Sequence, residues 1–155
     1  MGSVQLGFEG FSQLINIHPV FVHFPIALLA SAALFYLLGV LFKKDSLLQA
    51  GRWALYAGTL SAGLAIWTGL RAERTVEHDA VVHEIIELHE KLAYVVAGLA
   101  VSLSAWTLAV KAAIPSKGKV VFIAALILLV VLIGQQADLG GRMVFLHGAG
   151  VGKSH

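Results

Sequence analysis

Histidine is the residue that could do chemistry in this chain. Two fall in the stretch HPVFVHFPIALL as His18 and His23; His78, His83 and His89 follow one another mid-chain, then come His147 and, as the last residue, His155. Imidazole is the side chain that changes charge near neutral pH and is a common ligand for iron, zinc and copper. Cysteine is absent, which excludes disulfides, thiolate metal sites, iron–sulfur ligation and c-type haem attachment. Any metal or haem must therefore rest on His, Asp, Glu or Met.

The elements that hold these histidines are membrane helices. Hydrophobic residues make up 58% of the 155-residue chain and charged ones only 13%, at a mean hydropathy of +0.83. Soluble domains carry about 25% charged residues, so this chain lacks the material for a water-facing surface. Four apolar stretches, roughly 20–42, 53–70, 92–114 and 120–137, reach the length of about 20 residues that spans a bilayer core. The first has no basic leader and no small-residue cleavage site, so it reads as a span rather than a removable signal peptide. The chain is expected to be an all-α membrane protein, a single four-helix transmembrane domain over 1–155. No basic run of the kind nucleic acid requires is present.

The connections set the expected orientation. Lys43, Lys44 and Arg52 lie between spans 1 and 2, and Lys111, Lys117 and Lys119 between spans 3 and 4. The longer connection between spans 2 and 3 is acid-rich. Positive charge concentrated in short loops marks the inner side, which places both termini on the outer, periplasmic side of a bacterial inner (plasma) membrane. Leaving aside His155 at the terminus, six of the seven histidines then gather at one membrane face. A lone surface histidine needs no explanation; six at one face point to a site.

Helical phase selects among them. An amphipathic helical extension is expected from Glu77 into span 3, on which His78, Val82, Ile85, His89, Leu92 and Val96 share one stripe. Glu84, Glu87 and Lys91 take the opposite face, and His83 sits at the polar edge, within reach of Glu87 four residues on. Small residues run beyond the histidines: Ala93, Ala97, Ala100 and Ser104 in span 3, and Ala54, Gly58, Ala62, Ala65 and Gly69 in span 2. They suit close helix packing as well as a cofactor slot. Pro19 fits a helix start, whereas Pro25 removes a backbone bond and is expected to kink span 1, turning His23 towards the bundle axis. Gly140-Gly141 is expected to stop the last helix, so that Met143–Leu146 folds back over the bundle mouth and delivers Arg142 and His147. The glycine-rich tail is no phosphate loop, because neither the pattern nor a preceding strand is present.

Three segments, HPVFVHFPIALL, HEIIELHEKLAY and LGGRMVFLHGAGVG, together resemble the bacterial membrane proteins of domain-of-unknown-function family 2231, over nearly the whole chain. The resemblance implies a small four-helix membrane protein in a redox setting, since members are sometimes joined to c-type cytochrome domains. It carries over to His18, Pro19, His23, Phe24 and Pro25, to His89 and Glu90, and to Gly140, Gly141, Val144, His147, Gly148 and Gly150. Arg142 and Phe145 depart from it, standing where members often have an acid and a tyrosine.

Two functions are expected on these grounds. In the first, the protein is a b-type cytochrome holding one or two haem b groups, with His23 and His89 as one axial pair and His18, His147 and His78 available for a second. Arg71, Arg74 or Arg142 would pair with propionates. Such a protein carries electrons rather than acting as a stand-alone enzyme, with the lipid bilayer, quinol and a periplasmic c-type cytochrome as partners. In the second, His18, His23, His89 and His147 converge on zinc or copper. A structural subunit of a redox complex is a third reading. The many small residues favour a homodimer.

Overall fold

The computed structural model describes residues 16–75 and 80–149. Four helices account for nearly all of them: α1 (His18–Leu41), α2 (Asp45–Glu73), α3 (Ala80–Ala109) and α4 (Lys119–Phe145). No strand occurs among the described residues. The elements follow from the absence of interior breakers: the only proline inside a helix is Pro25, and α1 runs unbroken through it. The turn between α1 and α2 is made by Lys43 at a positive φ of 53°, and α3 ends just before Lys111 at 52°.

α1 and α2 form a long antiparallel pair. A Cβ added at Gly39 would meet Leu48; at Gly51, Tyr36; at Gly58, Leu29; at Gly69, His18. From the first pair to the last the contact steps back 21 residues along α1 (39 to 18) and forward 21 along α2 (48 to 69). At 1.5 Å per residue that is about 32 Å, the thickness of a bilayer core. Gly58 shows why the glycines are needed, since a methyl group there would come within 2.6 Å of the Leu29 side chain. Close approach of backbones replaces the hydrophobic drive that lipid removes.

α1, α3 and α4 are each long and apolar enough to cross a membrane. The glycines, hydroxyl residues and Arg52 of α2 dilute its apolarity, yet it accompanies α1 over the same depth. The core is one cluster shared by all four helices, with Leu29, Tyr36, Leu55, Ala100, Phe122, Leu126 and Leu129 fully buried. Phe122 meets Tyr36 and Trp106 edge-on, at centroid distances of 5.0 and 5.8 Å. Tyr36 also donates its hydroxyl proton to the Ala113 carbonyl at 2.7 Å, which ties the loop after α3 to α1. Outward, Leu60, Val120 and Val131 are exposed, as expected of side chains that meet lipid.

Hydroxyl groups join α2 to α3 at mid-depth. Thr59 gives its proton to the Leu55 carbonyl at 2.8 Å and takes one from Ser104 Oγ at 2.9 Å; Tyr56 and Thr107 pair at 2.9 Å. Where no water is available, such bonds satisfy polar side chains and hold helices in register.

Two expectations about ends are corrected. α4 does not stop at Gly140-Gly141 but continues to Phe145, so Met143–Leu146 does not fold back. Glycine weakens a helix by only about 1 kcal/mol, and here the pair lies against neighbours: a Cβ at Gly140 would make ordinary contact with His89, 3.7 Å away. α3 ends at Ala109 rather than near Ile114, because Lys111 has already turned into the left-handed region. The expected helix start at Glu77 lies outside the described residues.

Candidate functional site

All four helices contribute to one polar cluster at the end of the bundle where the described chain begins and finishes. α1 contributes His18 from its first turn. α2 contributes Thr68, 3% exposed, with Gly69 opening the space that the His18 ring fills: a Cβ there would stand 3.1 Å from His18 Cε1. α3 contributes His89, and α4 contributes the Gln136 backbone and Gly140.

The hydrogen bonds fix which nitrogen of His18 carries its proton. Thr68 Oγ1 donates to the Ala65 carbonyl at 3.0 Å, so its one proton is committed. His18 Nδ1 lies 3.1 Å from the same Oγ1 and must be the donor. Neutral His18 is therefore protonated on Nδ1, with a lone pair left on Nε2. At His89, Nδ1 is buried and has no hydrogen-bond partner among the described residues, and the Gln136 backbone lies beside the ring. The two rings are close enough for their charges to interact. Two imidazoles thus share one end of the bundle, and the Nδ1 of His89 is left without a partner among the described residues. Buried polar side-chain atoms are seldom left without a partner; among the described residues the two exceptions are Arg52 Nε and His89 Nδ1, and the second belongs to a group that changes charge near neutral pH.

The inward stripe of α3 explains the position of His89. Val82 and Val96 are buried and Ile85, His89 and Leu92 half-buried, while Glu84, Glu87 and Lys91 are exposed. Glu87 binds Lys91 at 2.8 Å and lies 3.6 Å from His83 on the outer face. Tyr94 donates to Glu90 at 3.0 Å.

The other expected ligands do not join the pair. His23 is exposed, its Nδ1 turned back to the Pro19 carbonyl of its own helix. The reason is angular: five residues separate it from His18, and five steps of 100° leave it about 140° around a helix from its neighbour. His147 is exposed beyond the end of α4. His78 lies outside the described residues. Arg142 is bound to Asp138 on its own helix at 2.6 Å; Arg74 is exposed at the end of α2. Arg71 lies with its guanidinium carbon 4.1 Å from the centre of the Trp67 ring.

The b-type cytochrome reading is therefore corrected. It required His23 to face His89 across a slot, and His23 points away. The zinc or copper alternative required three or four histidines at one point, and no group of three or more His, Asp or Glu side chains that could hold a metal occurs among the described residues. The expected quinol and cytochrome partners rested on the haem reading alone.

Thr68 and Asn16 were not singled out in the sequence. Thr68 stands three residues beyond Ala65 on the small-residue stripe of α2, where a hydroxyl among alanines and glycines was the available signal. Asn16 Oδ1 accepts from the His18 amide at 3.2 Å and so caps the start of α1.

Fold and site together define an α-helical membrane protein with a histidine pair at one end of its bundle. The chain matches the DUF2231 family, described as predicted membrane proteins, over residues 14–153, and belongs to it. No curated protein and no solved structure matches it.

Proposed function

We propose that this protein binds and releases a proton on the His18–His89 pair, as a multi-pass proton-exchanging protein of the bacterial inner membrane with the histidine-bearing end outward. The observation that carries the reading is the buried Nδ1 of His89, unpartnered among the described residues, beside a second imidazole. An ionisable group inside a membrane bundle is costly to keep and marks a functional position. The lysines of the opposite end support the outward placement.

A proton arriving at either ring makes one imidazolium, beside Thr68 Oγ1 at His18 or the Gln136 backbone at His89. Charged groups neighbour the pair along three of the helices. Arg71 follows Thr68 on α2, Glu90 adjoins His89 on α3, and the Asp138–Arg142 pair follows Gln136 on α4; on α1 the nearest titratable group, His23, points away. Because the rings interact, protons bind to the pair in two coupled steps rather than to either ring alone. The test is the nitrogen NMR titration of histidine-labelled protein in lipid nanodiscs. The expected result is a two-step curve for His18 in the wild type and a single step in His89→Gln. An unchanged His18 curve in that variant overturns the reading.

A further inference from the structure

A cleft of about 270 Å3 opens next to the histidine pair, with Thr68 in its wall and Asn16, Arg71 and Thr75 as its other polar lining. Ile17 and Trp67 supply apolar walls and are themselves about half exposed, at 54% and 50%. No carboxylate lines it among the described residues. Asn16 spends its oxygen on the His18 amide, which leaves its NH2 as donor. Thr68 and Thr75 give their protons to the Ala65 and Ala72 carbonyls. Arg71 makes no ion pair among the described residues; its guanidinium lies over the Trp67 ring, a contact that holds the flat face and leaves the N–H edge free.

Depth decides what could reach this cleft. The His18–Gly69 contact ends a helix pair about 32 Å long, and Arg71 and Thr75 lie beyond it along α2. That is the level of lipid headgroups, where tryptophan and arginine collect. We propose that the cleft seats the phosphate of an anionic phospholipid, with the Arg71 fork and the Asn16 amide as donors and with Ile17 and Trp67 against the start of its acyl chains. Arginine meets phosphate oxygens through two parallel N–H bonds, and the Arg71 charge, with no ion-pair partner among the described residues, favours an anion over a zwitterionic head. The proposal stands apart from the proton reading, and its test reads lipid rather than histidine.

The protein is reconstituted with equal parts of phosphatidylcholine and phosphatidylglycerol, re-purified in detergent, and its retained lipid is identified by mass spectrometry. The wild type is expected to keep phosphatidylglycerol preferentially. Arg71→Gln should lower that preference about tenfold, the effect of losing one charge-assisted contact. Arg74→Gln, one position outside the cleft lining, should leave it unchanged. Excess inorganic phosphate added to the wild type should not displace the lipid, because the apolar walls also hold it. Equal retention of both lipids by the wild type overturns the proposal, as does an unchanged preference in Arg71→Gln. Displacement by phosphate would make the cleft a site for the free ion and overturn the lipid assignment. The phosphate arm uses the wild type only, so it decides even if Arg71→Gln folds poorly.

Discussion

His89→Leu will fold with its stability held within about 1 kcal/mol of the wild type, although it deletes a half-buried side chain at the meeting point of four helices. Truncating a buried apolar residue costs about 2–5 kcal/mol, and a histidine that served only to join helices would cost a similar amount. His89 differs because its Nδ1 has no partner among the described residues. A buried polar atom left unpaired costs about 1–3 kcal/mol, and leucine of similar bulk removes that cost together with the hydrogen bond to the Gln136 backbone. The two terms nearly cancel. Thermal unfolding in detergent, followed by circular dichroism, reads the difference. A loss of 3 kcal/mol or more, on the order of a removed core residue, would make His89 a structural group and take away the reason for reading it as functional.

Gly69→Val gives the second large effect, and it leaves both histidines in place. A Cβ at this position lies 3.1 Å from His18 Cε1 and 3.5 Å from both ring nitrogens, so the imidazole must move away from Thr68 and its 3.1 Å hydrogen bond. Overpacking of this kind costs about 1–3 kcal/mol, and the coupling between the rings is expected to disappear with the displaced geometry. Gly140→Ala is the matched control, because its Cβ would meet His89 at an ordinary 3.7 Å. The variant pair is compared by unfolding and by histidine titration. If Gly69→Val titrates like the wild type, the position of His18 against Thr68 does not matter to proton binding.

Helix number and the inward stripe of α3 were legible in the sequence because both rest on periodicity. Val82, Ile85, His89, Leu92 and Val96 repeat at the spacing of one helix face, and the exposed Glu84, Glu87 and Lys91 mark the other. What was not legible depends on relations between helices. His18 and His23 look like equal candidates in HPVFVHFPIALL, yet an unbroken helix separates them by about 140°, so only one can enter the bundle. Pro25 suggested a kink that would reconcile them, but α1 continues through it. The tail misled for a related reason. Gly140-Gly141 reads as a stop, whereas α4 runs through it to Phe145, with Gly140 beside the His89 ring.

The cluster also explains why small residues surround it. Gly69 and Gly140 lie beside the two rings on α2 and α4, and larger side chains there would occupy the space of the imidazoles. Elsewhere the same residue type serves packing alone, as at Gly58 against Leu29. One stripe of small residues therefore has two uses, divided by depth.

If His18 and His89 share the handling of a proton, a proton count reveals it. Wild type and the His18→Gln/His89→Gln double variant are titrated side by side in lipid nanodiscs between about pH 8 and pH 5, the range in which imidazole changes charge. The other histidines are present in both proteins, so the difference belongs to the pair. The wild type is predicted to take up about one proton more per chain. Equal uptake by the two proteins would contradict the account.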